Sequence, residues 1–122
     1  MWLVTTQGFY SVVEHRDDPD TLIVRCRVRE DMEALREQIP TLEVFSDRSA
    51  DYRWRAHVPR REWLAAMLEM GDGIDYDNFK DAVKARQGQA RADVYLRVWM
   101  ALQELQFGWD WRRPVGSLFS RR

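Results

Sequence analysis

A chain of 122 residues with 45% hydrophobic and 32% charged content fits one globular domain that can bury a core without staples. Its formal net charge of −1 excludes an all-over positive coat, and its lone cysteine, Cys26, excludes an intrachain disulfide or a cysteine-built zinc site. No run approaches a membrane span of about 18 apolar residues, and the first residues lack the basic start and apolar core of a signal peptide, so a cytoplasmic protein with no membrane partner is expected.

Residues 2–6 and 9–14 are rich in β-formers and flank Gln7-Gly8, which predicts an N-terminal hairpin. A polar turn with Pro19 leads into residues 21–29, TLIVRCRVR, where Leu22, Val24, Cys26 and Val28 alternate with Arg25, Arg27 and Arg29. Successive strand side chains point to opposite faces, so this segment reads as a half-buried strand with one apolar and one basic face. Cys26 falls on the apolar side, as a small buried hydrophobe. Glu30 and Asp31 then suit a helix start, and Met32, Leu35 and Ile39 share one face of a helix over 31–39 that Pro40 closes.

A short strand over 41–46 and a turn over 47–50 return the chain to a second alternating strand over 51–58. Here Tyr52, Trp54, Ala56 and Val58 alternate with Arg53, Arg55 and His57. Pro59 suits the first turn of a helix over 60–70 with Trp63, Leu64, Met67 and Leu68 turned inward. Asp75, between Ile74 and Phe79, is the expected N-cap of a third helix that fades near Gly88. The fourth helix, 90–106, is apolar on most sides, with Val94, Tyr95, Leu96, Val98, Trp99, Met100, Leu102 and Leu105, as in a helix central to the core or buried in a partner. From residue 107 the periodicity stops, and an extended or partly disordered tail carrying Trp109 and Trp111 is expected.

This order predicts an α+β domain over 1–106: a mainly antiparallel sheet of about five strands with a ferredoxin-like βαββα centre, followed by two C-terminal helices. In that topology the two arginine-bearing strands are neighbours. Arg25, Arg27, Arg53, Arg55 and His57 then share one face, and Tyr10 is the aromatic expected to lie exposed beside them. Apart from Lys80 and Lys84 the 19 basic residues are arginine, a planar fork suited to phosphate or carboxylate, although a GC-rich genome would give the same bias.

Like charges facing one another call for an anion. Internal candidates are Glu14, Glu43, Asp47 and the acidic stretch of Glu69, Asp72, Asp75, Asp77 and Asp81. External candidates are nucleic acid and an acidic protein surface. The acidic stretch fails as a calcium loop, because the ligand pattern counted from Asp75 breaks at Phe79, Lys80 and Arg86, so no metal is assigned. No nucleophile or phosphate-loop motif appears and no cofactor is implied. The expected function is a non-enzymatic binding module. The enzymatic alternative is a small metal-independent ribonuclease with His57 as acid or base and Arg53 or Arg55 stabilising the phosphorane. A further alternative is an interaction domain, including a homodimer, acting through helix 90–106 or the tail. Trp2, Trp54, Trp63 and Trp99 fall on apolar faces as core fillers.

The succession GFYSVV at 8–13, DTLIVRCR at 20–27, DYRWR at 51–55 and IDYDNFK at 74–80, followed by Val98-Trp99, resembles a family of small uncharacterised bacterial proteins. The resemblance covers about residues 1–106 and implies no activity or site residue. Small size and a basic face suggest a setting in phage defence or mobile-element biology.

Overall fold

The computed structural model describes residues 1–107. Strands β1 (Trp2–Val4), β2 (Phe9–Glu14) and β3 (Thr21–Cys26) precede helix α1 (Arg29–Leu35). Strands β4 (Phe45–Ser46) and β5 (Trp54–Pro59) follow, then helices α2 (Arg60–Asp72), α3 (Phe79–Gln87) and α4 (Gln89–Gln106). The sheet runs in the order β1-β2-β3-β5-β4, with every neighbouring pair antiparallel. The α+β class expected from the sequence is the one observed, and β5 lies directly beside β3.

Period-two alternation divides the sheet into two chemically different faces. One face buries Tyr10, Val12, Leu22, Val24, Cys26, Ala56 and Val58 beneath α1 and α2, which contribute Met32, Leu35, Trp63 and Ala66. Trp63 is only 2% exposed, and truncating a tryptophan so enclosed costs about 3–5 kcal/mol. The opposite face carries Ser11, Arg25, Arg55 and His57; α1 and α2 do not cover it, and α3 and α4 pack on its Val4 and Phe9 corner.

Several elements differ from the sequence expectation. The strand over 41–46 shrinks to Phe45–Ser46 because Leu42 turns into the core, its N–H donating to the Ile39 carbonyl at 3.1 Å. Asn78, rather than Asp75, caps α3, its side chain accepting the Asp81 N–H at 3.0 Å. Of the two placements expected for helix α4, central to the core or against a partner, the first is not observed, since the helix packs at the periphery. Only its Ala92 and Tyr95 are buried, in a small second core with Val83, Val4, Phe9 and Phe79, where the Phe79 and Tyr95 rings stack 6.0 Å apart. Beyond Tyr95 the apolar side chains emerge, Trp99 being 60% and Leu105 80% exposed. Trp2 is likewise exposed, so of the four tryptophans expected inside, only Trp63 is fully buried and Trp54 half-buried. The expected tail, with Trp109 and Trp111, lies outside the described residues. No helix among the described residues is long and apolar enough to cross a membrane.

A buried carboxylate joins the two cores. Asp31, on the first turn of α1, is 2% exposed, and its Oδ2 accepts the Phe9 N–H at 2.9 Å and an Arg91 N–H at 2.9 Å. The Tyr10 hydroxyl donates to the Asp31 carbonyl at 2.7 Å and accepts from the Gln7 amide at 3.1 Å. Burial opposes the charge on Arg91, but hydrogen bonds to Asp31 and Tyr95 outweigh it and raise the guanidinium's pKa. Gly8 is required beside this carboxylate, since a Cβ there would meet the Asp31 Cγ at 2.7 Å. Asp31→Ala orphans a half-buried guanidinium and a backbone N–H, so it is expected to lower unfolding free energy by about 3 kcal/mol. In urea titrations, Asp31→Ala combined with Arg91→Met should recover part of that loss.

A candidate anion-binding face on the open side of the sheet

The strand register builds this face one residue at a time. Trp2 of β1 lies opposite Ser11 of β2, Ser11 opposite Arg25 of β3, Arg25 opposite Arg55 of β5, and Arg55 opposite Phe45 of β4. One transverse row therefore crosses all five strands, with two arginines at its centre and an aromatic ring at each end. Trp2 is 74% and Phe45 43% exposed. In the next row His57 lies opposite Ile23, which lies opposite Val13.

The central arginines are braced. Arg25 donates to the Ser11 hydroxyl at 2.6 Å and lies 4.8 Å from the centre of the Tyr52 ring, while its Nε is buried with no hydrogen-bond partner. Arg55 donates from Nε to the Tyr52 carbonyl at 3.1 Å and reaches the Asp51 carboxylate at 3.9 Å. Arg27 lies just past the end of β3, its guanidinium 4.1 Å from the Tyr52 ring centre and bonded to the Asp51 carbonyl at 2.7 Å. Arg53 lies just before β5, 5.1 Å from the Trp54 ring. Tyr52, itself 5% exposed, thus gathers Arg25, Arg27 and Arg55 around one side chain and its carbonyl. Each cation–π contact contributes on the order of 0.5–1 kcal/mol where water has access.

Arg25, Arg55 and His57 share this face as expected, with Arg27 and Arg53 at its end. Tyr10 does not belong to it. Tyr10 pairs with Leu3 on the other side of the sheet, is wholly buried, and packs edge-on against Trp63 at 6.2 Å. Its position in β2 differs by one from Ser11, and a shift of one residue changes faces. The exposed rings of the face are Trp2, Phe45 and His57, with His15 half-buried beside His57. The His57 ring sits 5.0 Å from His15 and 5.2 Å from Phe45, edge-on to both.

Glu14 binds Arg60 at 2.7 Å, and Asp47 accepts from Ser49, whose hydrogen bonds hold its carboxyl below the usual range, with Arg55 adding a smaller pull. Among the described residues no ion pair joins the row to Glu43, Glu69, Asp72, Asp75, Asp77 or Asp81; Arg55 reaches the Asp51 carboxylate at 3.9 Å and acts more weakly on Asp47. The site residues that sequence reasoning does not reach are Trp2, Ser11, His15, Phe45, Asp51 and Tyr52. Phe45 precedes a polar turn and shares a hairpin with Arg55, so counting across the observed turn would have found it. Alternation places Tyr52 on the apolar strand face, whereas the strand begins only at Trp54.

Among the described residues no three His, Cys, Asp or Glu side chains converge to hold a metal. A groove of about 540 Å³ between α3 and α4, lined by Phe79, Val83, Tyr95, Leu96, Trp99 and Leu102, is mainly apolar and has no arginine in its lining. No protein-family description, curated protein or solved structure matches the chain. The chemistry of the face is therefore the ground for a functional reading.

The reverse of the sheet behaves as core. Burial pushes the Cys26 thiol and the Tyr10 hydroxyl well above their ordinary values of 9.0 and 10.0. The folded state therefore holds protons that the unfolded chain releases, and stability should fall as pH rises through that range. Urea midpoints between about pH 8 and 11 check this. Replacing Cys26 by Ala should move the onset of the fall up towards the tyrosine range, and the native thiol should resist an aromatic disulfide reagent until the protein unfolds.

Proposed function

We propose that this protein is a non-enzymatic binding module that engages an anionic partner, nucleic acid or an acidic protein surface, through the arginine-bearing open face of its sheet. The observation that carries the reading is the direct cross-strand pairing of Arg25 with Arg55, with Arg27 gathered at the same tyrosine. Like charges directly opposite destabilise a sheet by a few tenths of a kcal/mol. A bound phosphate or carboxylate would relieve that repulsion and find guanidinium forks already held in place, which lowers the ordering cost of binding. Arg27 and Arg53 are exposed just past the ends of β3 and β5, beside the centre of the row, where a ligand can reach them. A cytoplasmic setting, and a role in phage defence or mobile-element biology, accord with this reading.

Affinity for a polyanion such as heparin should fall steeply with salt. It should drop at least about tenfold on reversing Arg25 and Arg55 together to Glu, and comparably on reversing the exposed pair Arg27 and Arg53. The second pair tests the idea even where Arg25→Glu, at a half-buried position, unsettles the fold. Binding unchanged in both variants, with circular dichroism intact, would overturn it.

One observation favours a second reading, a metal-independent ribonuclease. His57 and His15 bring two imidazoles 5.0 Å apart, with Arg55 two residues along the strand from His57. Two such groups could act as base and acid in transesterification beside a phosphorane-stabilising guanidinium. Purified protein should then cleave RNA between about pH 5 and 8, and His57→Ala should abolish cleavage while retaining RNA binding. Intact RNA throughout that range removes this reading.

A further inference from the structure

We infer that the anionic partner is a single strand of nucleic acid laid across the strands from Trp2 over Arg25 and Arg55 to Phe45, with unpaired bases stacked on the two terminal rings and Ser11 buried beneath the row as a brace for Arg25. The inference rests on the anion-binding reading and adds a substrate class to it. At about 4.8 Å between strands, the four steps from Trp2 to Phe45 span about 19 Å. That length exceeds a lone phosphate or carboxylate and matches a chain of several charged units.

The terminal rings decide which chain. Trp2 and Phe45 are large apolar side chains left 74% and 43% exposed on the face that carries the guanidiniums. Trp2 stands edge-on to Phe9 at 6.0 Å, and Phe45 continues through His57 to His15 in three successive edge-on rings. Rings flanking guanidiniums match the chemistry of single strands, where phosphates meet cations and each unstacked base offers a π-face to an aromatic side chain. A duplex hides those base faces, and an acidic polypeptide would engage the arginines while leaving the rings idle.

The test is fluorescence anisotropy on the full chain with a labelled single strand of about 12 nucleotides. The comparison ligands are the same strand made abasic, its duplex and polyglutamate. The intact strand should bind at least about tenfold more tightly than the abasic strand or the duplex. Trp2→Ala and Phe45→Ala should each weaken intact-strand binding about tenfold without changing abasic-strand binding, and Phe45→Tyr should retain it. Both positions are exposed, so the fold should survive. Equal binding of intact and abasic strands, equal binding of the duplex, or silence of both alanine variants overturns the inference. Where polyglutamate and the abasic strand still bind through Arg27 and Arg53, the anion reading survives that failure; where no polyanion binds, both fall.

Discussion

The Asp31 carboxylate is the interaction on which the arrangement depends. It lies almost wholly out of water, yet one of its oxygens accepts both the Phe9 backbone N–H and the Arg91 guanidinium. Through that oxygen the first turn of α1, the start of β2 and the start of α4 are fixed together. An unpaired charge at such a depth would cost several kcal/mol, so the three elements hold one relative position or the carboxylate loses its partners. Gly8 belongs to the same constraint, because any side chain there would occupy the space of the Asp31 carboxyl.

That constraint reaches the opposite face of the sheet through β2. Phe9 and Tyr10 are anchored by Asp31, one through its N–H and the other through its hydroxyl, which fixes which way β2 presents its side chains. Ser11 then stands next to Arg25 and accepts from it, and the hairpin partner Trp2 closes the row at the β1 edge. At the other side Tyr52 holds the arginines against its ring and its carbonyl. The face is consequently a set of guanidiniums held by neutral groups, with little countercharge of its own. Asp51 meets Arg55 at the outer limit of an ion pair and is itself 69% exposed, so water screens that pairing.

The two arginine-bearing strands show how far alternation carries. Leu22, Val24 and Cys26 against Ile23 and Arg25 mark the two faces of β3 without any tertiary information, and Ala56 and Val58 do the same for β5. Their adjacency also followed from element order, since α1 between β3 and β4 leaves room for β5 to return beside β3. Parity failed where the strand limits were misplaced. Tyr52 lies before β5 and is free of its alternation. Tyr10 is a different case, since the limits of β2 are as expected: its side chain is amphipathic, and nothing in sequence shows that its hydroxyl meets a backbone carbonyl in the core. For helix α4 the sequence leaves core and partner burial open for a different reason: apolar content measures what could be buried, while burial depends on what stands opposite.

The sequence by itself determined the α+β class, the antiparallel pairing of the basic strands and the face on which Arg25, Arg55 and His57 lie, because local periodicity and chain order encode these directly. Tertiary structure alone decided that Asp31 and Arg91, sixty residues apart, form the joint between the two cores. It also decided that Trp2 and Phe45 cap the arginine row, and that Glu14 serves Arg60 instead. These are pairings between distant elements, set by packing and by the cost of burying unmatched charge, and no local pattern in the chain records them.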